Sequence, residues 1–279
     1  MKFAFSANAF RRYSLLETIS IIADLGYDGI EIMADIPHAY PPQMTDKDVQ
    51  LIRDALARHR LQVSNINAFM LWAVGDTWHP SWIEEDEAQR SIRIEHTRNC
   101  IRLAAELGAP SISTEPGGPL GGMTPGAALE LFRQGLEQIA GDAVRYGVKV
   151  LIEPEPDLLI ETSSQFQHFF QQLDPAIFGL NFDIGHFYCA GEDPAELVAR
   201  LNEYTGHYHL EDIAPSRKHH HLMPGEGAID LKSVIREIGM SGYDGFVTVE
   251  LYPYEDRPVE VAGMSLDYLR KIQDQLKSQ

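Results

Sequence analysis

Four residues in the second half of the chain each end a short run of strand type: Glu153, Asp183, His209 and Glu250. Val148 to Ile152 leads into Glu153, Phe178 to Phe182 into Asp183, His207-Tyr208 into His209, and Phe246 to Val249 into Glu250. Three carboxylates and one imidazole form a donor set of mixed hard and borderline character. It suits one divalent cation from the group Mn²⁺, Mg²⁺, Co²⁺, Fe²⁺ and Zn²⁺. Brought together without a cation, three negative charges would repel and shift one another's pKa values strongly. A closed structural zinc site would prefer cysteine, and neither Cys100 nor Cys189 stands at one of these exits. Each residue has an ordinary alternative. Glu155 lies beside Glu153 on the same strand face, and either could be the ligand. His209 could be a satisfied core histidine, and Glu250 could pair with a lysine.

The elements that must position these residues read as an alternating series. Strand patterns fall over 2–7, 30–33, 61–68, 109–114, 148–152, 178–183, 207–210 and 246–251, with helical stretches between them. Ser14 with Glu17 forms a capping-box pattern ahead of a helix to Leu25. Thr45 or Asp46, Asp86, Thr124 and Thr162 or Ser163 open further helices, and a closing helix runs to about Leu276. Strand then helix, eight times, is the count of a (β/α)8 TIM barrel, expected as one domain over 1–279. Gly-Tyr-Asp-Gly recurs before the second and eighth strands, an echo expected of repeated units. A doubly wound sheet competes, but no Gly-x-Gly-x-x-Gly supports it. In a barrel the strand exits share one mouth, and ligands bind there. Gly185 would permit a tight exit after Asp183, with His186 turned back beside it.

The loop from Phe69 to about Glu85 is long and carries Trp72, Trp78 and Trp82, as a wall or lid over a ligand would; an oligomer contact is the alternative. The glycine-rich run after Glu115 lacks the Gly-Lys-Ser/Thr ending of a phosphate-binding loop. At 279 residues and 44% hydrophobic, the composition is that of a globular protein. No run approaches the roughly 18 apolar residues that a membrane helix needs. A net charge of −18 disfavours nucleic acid as a partner. Two cysteines and a start without signal-peptide features point to a reducing cytoplasm.

Five motifs together resemble the sugar isomerase/epimerase family: Leu-Ile-Glu-Pro (151–154), Phe-Asp-Ile-Gly-His (182–186), His-Tyr-His-Leu-Glu-Asp (207–212), Pro-Gly-Glu-Gly-Ala-Ile-Asp (224–230) and Thr-Val-Glu-Leu (248–251). These are xylose isomerase-like barrels that include ketose 3-epimerases, fructoselysine 3-epimerase, hydroxypyruvate isomerase and inosose dehydratase. The resemblance covers nearly the whole chain, including Leu-Gly-Tyr-Asp-Gly-Ile-Glu-Ile near its start. It implies Glu153, Asp183, His209 and Glu250 as metal ligands, with His186 and Arg217 binding substrate oxygens. It also implies that His221 faces the site, while His219 and His220 are expected in a solvated loop. Asn67, Glu115 and Trp72 complete the expected substrate contacts.

Two departures bear on substrate. The short connection from Glu153 to Thr162 looks more like the dehydratases than the ketose 3-epimerases, which carry a second glutamate there. The related AP endonucleases carry histidines near the exits of strands three and four, where Asn67 and Glu115 stand here. The chemistry implied is proton abstraction beside a carbonyl through an enediolate, with Glu153 and Glu250 as the acid/base pair. Isomerisation, epimerisation and loss of a β-hydroxyl share that first step. A non-catalytic, metal-bearing sugar-binding barrel is the other alternative, and a homo-oligomer stays open.

Overall fold

Eight parallel strands follow one another in chain order around a closed barrel, the last pairing with the first. They are β1 (Lys2–Ser6), β2 (Gly29–Met33), β3 (Gln62–Asn67), β4 (Ser111–Thr114), β5 (Lys149–Ile152), β6 (Phe178–Asp183), β7 (Thr205–Leu210) and β8 (Phe246–Val249). Around them lie α1 (Leu15–Leu25), α2 (Asp46–His59), α3 (Glu87–Leu107), α4 (Pro125–Tyr146), α5 (Ser163–Phe170), α6 (Ile184–Cys189), α7 (Pro194–Leu201), α8 (Leu231–Met240) and α9 (Pro258–Lys277). The computed structural model describes residues 1–279 other than Leu71, Thr77 and Gln279.

Local chemistry sets the helix starts. Ser14, Thr45 and Thr162 each accept from the backbone N–H three residues on, where Glu17, Asp48 and Gln165 return the bond to the cap. These reciprocal bonds satisfy donors that a helix start otherwise leaves open. At the other ends of α1, α3 and α4, Gly26, Gly108 and Gly147 take the left-handed conformation that stops a helix. The outer core is apolar, with Ile22, Ile101, Phe132 and Leu266 buried between strands and helices.

The barrel interior below the mouth is polar. Asn65 donates to Glu31 at 3.0 Å and to Ser113 at 2.8 Å. His207 spans Asn181 and Thr248 at 2.7 Å each, and Thr248 reaches Ser64 at 3.1 Å. Buried polar groups of this kind are tolerated only when bonded to one another, and the network gives the floor of the mouth a fixed geometry.

Three local features differ from the sequence reading. β1 stops at Ser6, where Ala7–Phe10 form a 3-10 turn. β8 stops at Val249, so Glu250 stands just past the last paired residue. Most consequentially, the chain after Asp183 enters α6 instead of a glycine turn, and Asp183 caps that helix by accepting from the His186 N–H at 2.6 Å. Gly185 serves close approach: its N–H donates to Glu211 at 2.5 Å, and a Cβ there would overlap that carboxylate.

Candidate active site

The exits of β5, β6, β7 and β8 bring four side chains to one point. Glu153, Asp183, His209 and Glu250 each offer a ligand atom within 4.8 Å of the others, and all four are buried. His209 Nε2 lies 2.7 Å from Glu31 Oε2. A carboxylate can only accept, so Nε2 carries a proton; with a cation in place the ring would be neutral and Nδ1 would offer its lone pair. That Nδ1 faces Glu153 Oε1 at 2.9 Å, Glu250 Oε2 at 3.7 Å and Asp183 Oδ2 at 3.8 Å. A carboxylate holding the far side of a ligating histidine is the usual support of a metal centre.

The residues fit a divalent ion. Glu153 Oε2 and Asp183 Oδ2 are buried with no hydrogen-bond partner among the described residues, which is costly for a carboxylate unless a cation takes the lone pairs. Burial, reinforced by the neighbouring carboxylates, holds Glu153 above the usual range and Glu250 well above it. Burial works against a charged His209, but Glu31, Glu153 and Glu250 outweigh it and raise that ring well above the ordinary histidine value. Glu31 moves the other way, to about 2: burial opposes its charge, and His209 and His207 overcome that.

Above this floor opens a cavity of about 520 Å³, reached by Glu153, Glu250, Asn67, Trp72 and the rings of His186 and His221. Asn8 and Asn67 donate to Glu250 Oε1 at 2.8 and 3.4 Å, fixing that carboxylate without a lysine. Asp35 accepts from the backbone of Trp72 and Ala73 at 2.7 and 2.8 Å and so fastens the start of the tryptophan loop. The Arg11 guanidinium lies 3.2 Å over the Trp72 ring and pairs with Glu255.

The model of the xylose isomerase-like TIM barrel family matches residues 19–272. The chain belongs to that family. Fructoselysine 3-epimerase of Shigella flexneri is 24% identical over 258 residues, 90% of each chain. Inosose dehydratase of Mesomycoplasma hyopneumoniae strain 7448 is 24% identical over 284 residues, covering 91% of this chain and 87% of the relative. Among solved structures, a D-tagatose 3-epimerase-like protein superposes with a TM-score of 0.80 at 24% identity, over 99% of this chain and 100% of its own. The IolI protein with a binding zinc atom gives 0.81 at 20%, over 98% of both. Epimerases and a dehydratase are thus among its relatives, and this chain is an enzyme of the same family.

Within the family's mouth, the structure brings some of the expected residues together and sets others apart. Glu153, Asp183, His209, Glu250, His186, His221, Asn67 and Trp72 gather at or around the cavity. Glu115 does not reach it. Its side chain pairs at 2.9 Å with Arg93 of α3, both being buried. Arg217 also stands apart: it is exposed, donates to the Tyr188 carbonyl at 2.6 Å and covers the Tyr188 ring at 4.2 Å. Its backbone takes the left-handed conformation, at φ 57°.

Of the three tryptophans, Trp72 and Trp78 line the cavity while Trp82 is core. The Trp82 indole donates to Thr114 at 2.9 Å, meets Phe132 at 5.6 Å and fills the space left by Gly135. Leu71 and Thr77 of the same loop lie outside the described residues.

Three participants escaped the sequence reading. Glu31 is a charged residue in a strand buried on both faces, and that mismatch is the signal that could have found it. Asn8 sits in the 3-10 turn after β1, one residue past the strand read over 2–7. His219, expected in solvent, lines the cavity between His186 and His221, whereas His220 is exposed as expected.

Proposed function

We propose that the chain catalyses proton transfer beside a carbonyl group of a carbohydrate, with Glu153 and Glu250 as the acid/base pair. The observation that carries this reading is the pair itself: two buried carboxyls, from the exits of β5 and β8, that line one cavity. A general acid or base must lie within reach of the proton it moves, and both carboxyls open onto the cavity that would hold the sugar. Glu153, Asp183, His209 and Glu250 would hold the cation, which when bound supplies charge to offset the enediolate oxygens. Asn8 and Asn67 orient Glu250, and Glu31 orients His209. The Trp72 and Trp78 rings offer apolar faces for a sugar ring and keep water from the reacting carbon. Return of the proton to the opposite face of the same carbon is epimerisation; return to the neighbouring carbon, with a hydroxyl proton shift, is isomerisation.

A second reading, dehydration, has an observation of its own. Glu155, two residues beyond Glu153, lines the cavity. Loss of solvent around its carboxyl, with Glu153 and Glu115 nearby, raises its pKa and so favours the protonated form that can protonate a leaving hydroxyl. The two readings separate on product. Metal-loaded protein should be offered free ketoses, ketose phosphates and inososes, with products followed by NMR and ultraviolet absorbance. An epimeric or isomeric sugar supports the first reading, and an unsaturated ketone supports the second. No turnover of any of these by the loaded protein would overturn both.

A further inference from the structure

Arg93, on α3, is fully buried and lies outside both the cavity and the four-ligand group. A buried guanidinium is costly unless its charge and its donors are matched. Glu115 meets the charge at 2.9 Å. Two more donors go to backbone carbonyls, Nε to Pro80 at 3.0 Å and Nη1 to Ala68 at 3.3 Å. Ala68 and Pro80 bracket the segment that carries Trp72 and Trp78. One planar, rigid group therefore holds both ends of that part of the cavity wall.

The two ends are not held equally. The Ala68 carbonyl is also met by His96 Nε2 at 3.1 Å, and Asp35 accepts from the Trp72 and Ala73 N–H groups close by. At the other end Arg93 holds the Pro80 carbonyl, just before Trp82 enters the core. The ion pair extends this hold. Glu115 leads into Gly118, where an added Cβ would stand 3.1 Å from the Trp78 carbonyl oxygen, so the run after β4 lies directly against Trp78. Trp72 and Trp78 themselves are exposed, and their own burial does little to fix them.

We infer that Arg93 is a positioning residue: through the Ala68 and Pro80 carbonyls and through Glu115 it sets where Trp72 and Trp78 stand on the cavity wall. It touches no reacting atom. Trp78 depends on it more than Trp72, which Asp35 also holds. The kinetic consequence rests on the proposed role of these indoles in binding a sugar; the clamp itself does not.

Two variants separate the clamp from the ion pair. Arg93→Lys keeps a charge for Glu115 but lacks the planar fork that spans two carbonyls. Arg93→Met combined with Glu115→Gln removes both charges together, so neither is left buried alone. Ile101→Val, a buried position on the same helix, controls for ordinary loss of packing. Limited chymotrypsin digestion of the native full chain, read by mass spectrometry, reports local opening at each indole. Cleavage after Trp78 should be about 10-fold faster in both Arg93 variants, with a smaller rise after Trp72, while Ile101→Val stays within about 2-fold of wild type. Zinc retained after loading and desalting should match wild type in all of them. On a confirmed substrate both Arg93 variants should raise KM about 3- to 10-fold with kcat within about 2-fold, because the wall moves and the acid/base pair does not. Cleavage after Trp78 no faster than in Ile101→Val, or an unchanged KM, would overturn the inference and leave the proton-transfer reading standing. Absence of turnover by the wild type would overturn that reading instead, with the digestion still deciding the clamp.

Discussion

His209 and Glu31 meet at 2.7 Å across the barrel interior, and that contact decides which nitrogen of His209 faces the mouth. Glu31 sits on β2, five strands before the histidine it orients. Glu31→Gln keeps an acceptor and the side-chain size but removes the charge that supports the ring. Metal affinity, measured by competition with a chromogenic chelator, should fall by about 10- to 100-fold. Unchanged affinity would mean that the contact serves packing alone.

The tryptophans should divide by role. Trp82→Ala removes a fully buried indole and its bond to Thr114, and should cost about 3–5 kcal/mol in denaturant unfolding. Trp72→Ala removes a ring that is 44% exposed on the cavity wall and should leave stability nearly unchanged. On a confirmed substrate it should raise KM on the order of 3- to 10-fold. A large loss of stability in Trp72→Ala would reverse this assignment.

His96 provides a pH dependence remote from the mouth. Burial, with the Arg93 charge beside it, lowers its pKa to about 3, while the unfolded chain takes up the proton near 6.5. The folded value lies below the unfolded one, so the contribution is fully present above about 6.5. It is lost as pH falls toward 3, because the unfolded state binds the extra proton first. Between pH 7.5 and pH 5 this one ring should cost on the order of 2 kcal/mol. His96→Gln should flatten the wild-type curve over that interval. An equally steep fall in the variant would place the dependence elsewhere.

Much of this architecture is legible in the chain, for a physical reason. Strands buried on both faces read as apolar runs, so a charged residue ending one, as Glu153, Asp183 and Glu250 do, stands out. Caps such as Ser14 with Glu17 act locally and are visible in a few residues. What was hidden depends on register and direction. Glu115 follows β4 as Glu153 follows β5, yet it turns outward to Arg93, and no local pattern distinguishes the two. Gly185 reads as a turn residue because the carboxylate that needs its missing Cβ, Glu211, is 26 residues away. His219 lies in a loop that Asp212 holds by accepting from the backbone N–H groups of Gly225 and Gly227, contacts that exist only once the loop is folded.

The central claim, that Glu153 and Glu250 share the proton transfer, is tested most directly in heavy water on a confirmed substrate. The wild type should place deuterium on the carbon beside the carbonyl in the product. Glu153→Gln and Glu250→Gln preserve size but remove the base, and each should lower turnover by about 10²- to 10⁴-fold. One of the two should still exchange deuterium into recovered substrate, because it retains the first transfer. Parent-rate turnover in both variants, or product formed without deuterium, would contradict the account.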